Sequence, residues 1–172
     1  MPTIGVAVAI PEPWATQLQE YRTSVGDEMA ATIPTHITLV PPTEVDQDEL
    51  EKIEAHLTTV ASEVTRFQVH LRGTGTFRPV SPVVFVSVVE GISRCEQLAD
   101  AVRRGPLDVD LHFPYHPHVT IAHDVTEQRL DQAFEELSDF EAEFQVESFG
   151  LYVHDDERGW TPTRCFGLRS GT

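Results

Sequence analysis

The chain is short of basic residues, of cysteine and of long apolar runs, and each shortage removes a class of protein. Only 12 basic residues stand against 28 acidic ones, a formal charge of −16 over 172 residues. Indiscriminate nucleic-acid binding is disfavoured, since it depends on neutralising phosphates with Lys and Arg. A small phosphate ligand held at a locally basic point remains open. The two cysteines, Cys95 and Cys165, form no Cys-x-x-Cys pair. A disulfide scaffold drops out, and both read as reduced, semi-buried thiols. The longest apolar stretch, residues 4–10, is far below the roughly 20 residues of a membrane span. No Lys or Arg precedes it, so it lacks the basic start of a signal peptide. The expectation is a cytoplasmic, single-domain protein without a membrane contact, since no Gly-, Ser- or Pro-rich linker divides the chain.

What is there is globular: 40% hydrophobic and 23% charged residues. Apolar runs at 3–10 and 83–89 read as buried strands, and 35–40, 67–71, 118–122, 144–153 and 164–168 as further strands. Helical spacing runs over 13–25, from Asp46 to Val64, from Ser93 to 103, and from Thr126 to 137, with Ser93-x-x-Glu96 read as a capping box. Asp155 to Gly159 reads as a hairpin loop. Strand, helix, His-bearing strand, helix, strand therefore occurs twice, which suggests internal duplication with the two histidine strands facing one cleft. On that plan the lobes divide near residue 80, as 1–80 and 81–172, with exchange of strands between them allowed. Residues 64–89 hold no acidic residue while including Arg66, Arg72 and Arg78. They are either snorkelling arginines on buried strands or one wall of an anion site.

His-x-Thr occurs three times, at His36-Ile37-Thr38, His56-Leu57-Thr58 and His118-Val119-Thr120, where chance gives roughly 0.8. Local structure separates them. In a helix, residues two apart point about 200° from each other, so His56 and Thr58 cannot serve one ligand. In a strand, residues i and i+2 share a face, so His36 with Thr38, and His118 with Thr120, each set an imidazole beside a hydroxyl. Two facing imidazoles suit phosphoryl transfer without a metal. With ordinary pKa near 6.5, one ring removes a proton while the other donates one, and the hydroxyls hold non-bridging oxygens.

The segments PTHITLVPP and HPHVTIAH resemble the two signatures of the two-histidine phosphoesterase superfamily, in its 2′-5′ RNA ligase and cyclic phosphodiesterase branch. The resemblance covers essentially the whole chain. It implies an α+β fold with two pseudo-symmetric lobes, whose antiparallel sheets line a central cleft with helices outside. It implies hydrolysis or formation of 2′-linked phosphoesters, such as 2′,3′-cyclic or 2′-5′-linked phosphodiesters, with no cofactor. His36 and His118 then form the catalytic pair, and Thr38 and Thr120 bind phosphate. Family pairing order makes His118 the base and His36 the acid. Relatives often carry an arginine soon after the second motif, where this chain has His123. Strict alternation would put His123 on the face opposite His118.

Phe77, Arg78 and Tyr115 are expected as further substrate contacts, with Trp160 also at the cleft mouth. The expected partner is a small cyclic nucleotide or a short RNA end, bound by a monomer with no stable protein partner. Two other readings stay open. One is a metal-dependent hydrolase built on His112, His116, His118 and His123, with His116 and His118 on one strand face. The other is a non-catalytic nucleotide- or RNA-binding protein of the same fold.

Overall fold

Five consecutive buried residues in the first strand place it inside a sheet, because an edge strand leaves one side to solvent. The computed structural model describes residues 1–111 and 113–170. In chain order the elements are β1 (Thr3–Ala9), α1 (Trp14–Ser24), β2 (His36–Glu44), α2 (Leu50–Glu63), β3 (Phe67–Thr76), β4 (Val83–Glu90), α3 (Ile92–Val102), β5 (His118–His123), α4 (Glu127–Glu136), β6 (Glu141–Val146), β7 (Ser148–Asp155) and β8 (Gly159–Gly167). They form two antiparallel four-stranded sheets, ordered β2-β1-β7-β8 and β5-β4-β3-β6. The fold is α+β with two lobes. Each apolar strand, β1 or β4, is internal, and each histidine strand, β2 or β5, is the edge beside it. The two edges lie against each other.

One continuous apolar core joins the lobes. Ile4, Ile37 and Leu39 of the first sheet, Val84, Val119 and Ile121 of the second, and Leu57, Leu98 and Leu130 of the helices are all sealed from solvent. Each such side chain contributes about 1.5–3 kcal/mol on burial. Among the described residues no helix is long and apolar enough to cross a membrane. Cys95 is buried and Cys165 exposed, and both are free thiols.

Several elements differ from the sequence expectation for identifiable reasons. The second strand runs through Pro41 and Pro42 to Glu44, because an edge strand needs no hydrogen-bond donor on its outer side. The third runs on past Gly73 to Thr76. At Gly75 a Cβ would stand 2.6 Å from the Phe85 ring, so the glycine admits that ring beneath the sheet. Residues 144–153, read as one strand, are two strands, β6 and β7, and they belong to different sheets. Ser93 caps nothing: α3 starts after Gly91, whose φ of 96° replaces a side-chain cap with a left-handed turn. Thr126 does cap α4, its hydroxyl accepting from the Arg129 amide at 3.2 Å. The sheets do not divide at residue 80. Strand β3 sits in the second sheet, while β7 and β8 complete the first, so the chain crosses between lobes twice.

The repeat extends to a defect. Thr38 opposes Ala7 and Val40 opposes Val6, leaving Leu39 as an extra residue; Thr120 opposes Phe85 and Ala122 opposes Val84, leaving Ile121 extra. Each bulge falls three residues after the motif histidine. Residues 36–41 and 118–123 accordingly share one burial order: half-buried, buried, half-buried, buried, buried, half-buried.

Candidate active site

Where β2 and β5 meet, a cleft of about 370 Å³ opens between the lobes. His36 and Thr38 enter it from β2, His118 and Thr120 from β5. Strand alternation turns Ile37 and Val119 into the core and leaves each histidine and threonine on the cleft side. The third motif histidine is elsewhere. His56 lies on α2, and its Nε2 donates to the carbonyls of Ala101 and Val102 at 3.1 Å, closing the end of α3.

The two site imidazoles are held alike. His36 Nδ1 lies 2.6 Å from the Pro34 carbonyl, and His118 Nδ1 lies 2.7 Å from the His116 carbonyl. A carbonyl only accepts, so Nδ1 carries the proton of each neutral ring and Nε2 is left as its acceptor. Beyond that the two differ. His36 Nε2 accepts from the Thr38 hydroxyl at 3.1 Å. His118 stands edge-on to Phe77, with ring centres 4.9 Å apart at 89°, and also touches Phe85 at 5.3 Å.

Burial pushes the proton affinity of both rings down. For His118 burial is the largest cause and the nearby His116 and His36 add to it, against the opposing bond to the His116 carbonyl; the result is about 4. For His36 burial dominates again, the Pro34 carbonyl opposes it, and the charge of Arg22 reinforces it. Both rings are therefore neutral in the resting protein at pH 7.

His123 joins the site, contrary to strict alternation. The bulge at Ile121 shifts the strand by one residue, so His118, Thr120 and His123 all line the cleft. Phe77 lines it too, as the ring against which His118 rests. Arg78 does not. Its guanidinium donates to the Thr76 hydroxyl at 3.1 Å, to Glu127 at 3.0 Å and to Asp131 at 2.8 Å, which turns it onto α4. Arg66 and Arg72 likewise meet Glu147 and Glu141, so the acid-free segment is neutralised from elsewhere and builds no anion wall. Tyr115 stands behind the site. Its hydroxyl donates to the Thr38 carbonyl at 2.6 Å and its ring carries Arg103 on its face, bracing β2. Trp160 and Tyr152, from the first sheet, form the other aromatic side of the cleft.

Arg22 was not expected. It lines the cleft from α1 and is 4% exposed. Its signal in the sequence is a register: it lies one helical turn beyond buried Leu18, on the inward stripe of α1. Among the described residues no three metal-ligating side chains converge, and His112 lies outside those residues. His116 packs its ring on Phe77 and Phe85.

The family model of the 2′-5′ RNA ligase superfamily matches residues 10–158. The chain belongs to the 2′-5′ RNA ligase superfamily. A relative from Oceanobacillus iheyensis, named "Putative phosphoesterase", is 28% identical over 144 residues, covering 83% of this chain and 84% of its own. One of the same name from Bacillus cytotoxicus is 28% identical over 148 residues, covering 85% and 86%. Among solved structures, E. coli LigT complexed with 3′-AMP superposes with a TM-score of 0.72 at 21% identity, over 99% of this chain and 100% of that one. TT0787 of Thermus thermophilus superposes with a TM-score of 0.71 at 24% identity, over the whole of both chains. The solved structures share the two-lobed fold, and the curated relatives carry a phosphoesterase name.

Proposed function

We propose that this chain is a phosphodiesterase that opens 2′,3′-cyclic or 2′-5′-linked phosphodiesters of nucleotides or short RNA ends. The observation that carries the reading is the pair of imidazoles, each fixed through Nδ1 to a backbone carbonyl and each offering Nε2 to one cleft. His118, neutral and with Nε2 uncommitted among the described residues, takes the proton from the attacking water. The P–O bond to one ribose oxygen breaks, and His36 gives that oxygen a proton. Thr38 and Thr120 hold the non-bridging oxygens as charge builds on them. His36 needs a proton to act as the acid. A phosphate anion seated beside it offsets the burial and the Arg22 charge that otherwise keep the ring neutral.

The substrate's bases have two aromatic surfaces to meet, Phe77 on one side and Trp160 with Tyr152 on the other. The crystal structure of E. coli LigT with 3′-AMP supports a mononucleotide-sized ligand in this fold. The acidic exterior favours a small substrate over a long nucleic acid. One imidazole accepts a proton and the other donates one, so the reading requires no metal.

The test is hydrolysis of adenosine 2′,3′-cyclic phosphate with and without a chelator, across pH. The expected outcome is chelator-insensitive turnover with a bell-shaped pH profile. Turnover abolished by chelator and restored by a divalent ion would replace this reading with metal-assisted hydrolysis. No turnover of any cyclic or 2′-5′ diester would leave a binding protein of the same fold.

A further inference from the structure

A buried arginine is costly unless its charge is answered, and Arg22 is answered on one side only. Its Nε donates to Asp27 Oδ2 at 2.5 Å, with both side chains nearly sealed from solvent. Asp27 is filled by other donors: Oδ1 accepts from the Met29 amide at 3.0 Å, and Oδ2 also accepts from the His123 amide at 3.1 Å. The pairing is through Nε alone, so the Nη1 and Nη2 fork has no hydrogen-bond partner among the described residues, while Arg22 lines the cleft with His36 and His118. That fork is the part of a guanidinium that matches two oxygens of one phosphate. Among the described residues Arg22 is moreover the one arginine lining this cleft; Arg66, Arg72, Arg78, Arg94, Arg104 and Arg164 have their partners elsewhere.

We propose that Arg22 is the anion clamp of the site, its Nη1 and Nη2 holding non-bridging oxygens of the phosphate between His36 and His118, with Asp27 as its positioning residue. The proposal rests on the phosphodiesterase reading for its substrate and adds the cation that reading lacks. Asp27 does two things at once. It aims the guanidinium by holding Nε, and through the His123 amide it ties the end of α1 to the end of β5. The clamp is thereby mounted on the strand that carries His118, so its distance from the phosphate does not depend on a surface loop. In a chain of charge −16, this is where a local positive charge meets the anion.

The test is binding rather than turnover. Inorganic phosphate is titrated into the wild type, Arg22→Lys, Arg22→Met and the double variant Arg22→Met/Asp27→Leu, following the Cε1–H resonances of His36 and His118. The double variant replaces the buried pair with apolar side chains, so no charge is stranded. The Met29 and His123 amides lose their acceptor in it, so its native spectrum is checked first. Arg22→Met keeps that acceptor and should weaken phosphate binding at least as much. The expected result is phosphate binding in the wild type, partial retention in Arg22→Lys, and about tenfold weaker binding in the double variant. A loss of less than about threefold in a double variant that keeps its native spectrum overturns the clamp. So does a wild type whose two rings never sense phosphate. Wild type that binds phosphate through Arg22 yet opens no cyclic diester leaves the clamp standing and removes the activity.

Discussion

Strands β2 and β5 are two copies of one device placed in unlike surroundings. Both carry His-x-Thr on an edge, both bulge three residues after the histidine, and both fix Nδ1 on a carbonyl two residues upstream. The surroundings then diverge. His36 has a hydroxyl on Nε2 and a buried cation nearby, whereas His118 leans on Phe77 and Phe85 with Nε2 open. After the bulge, one strand continues with Pro41 and the other with His123. The repeat supplies two similarly held imidazoles. The acid and base roles proposed for them require a difference, and what packs around each provides one.

The largest effect should come from removing one member of the pair. His36→Ala and His118→Ala should each lower cyclic phosphodiester hydrolysis by about 10²–10⁴-fold. A nitrophenyl phosphodiester, whose leaving group needs no proton, should largely rescue His36→Ala and leave His118→Ala slow. Rescue of His118→Ala instead would exchange the two roles. Next in size is the aromatic support of His118. Phe77→Ala removes its edge-on contact, so the ring should titrate nearer its ordinary 6.5 than about 4, and turnover should fall about tenfold through lost orientation. Histidine resonances followed across pH report this, and an equal shift at His36 would mean that the two environments are not independent.

A smaller effect concerns stability. Folding lowers the proton affinity of His118, so between about 4 and 6.5 the unfolded chain binds more protons. The stability contributed is complete above about 6.5 and is lost as pH falls toward 4. Urea unfolding of His118→Asn should lose less stability than wild type between pH 7 and pH 4.5; equal losses would place the acid sensitivity in other groups. Smallest is His56→Ala. It removes the bonds from α2 to the end of α3, so stability should fall by about 1 kcal/mol while turnover stays at the wild-type level. Damage to turnover comparable with His36→Ala would reinstate the third motif.

Much of the site was readable because it is local. A strand's period of two puts His36 beside Thr38 and His118 beside Thr120, and a helix's period of 3.6 sets His56 apart. The apolar runs of β1 and β4 mark them as internal strands, and Thr126 marks the start of α4. Other features were misread where the deciding partner is distant. The single strand expected over 144–153 divides because its two ends pair with β3 and β1 in different sheets. Arg78 looked free in an acid-free segment, yet Glu127 and Asp131, some 50 positions later, take its charge.

By itself, then, the order of residues determined most of the elements, their inward faces and the two imidazole–hydroxyl pairs, since each depends on neighbours within one strand or one helical turn. Tertiary structure alone decided that His123 faces the cleft, that Tyr115 braces β2 from behind, and that Arg22 lines the cleft while Arg78 does not. Those outcomes rest on a bulge, whose extra residue is defined only against the partner strand, and on charges that find one another across the fold.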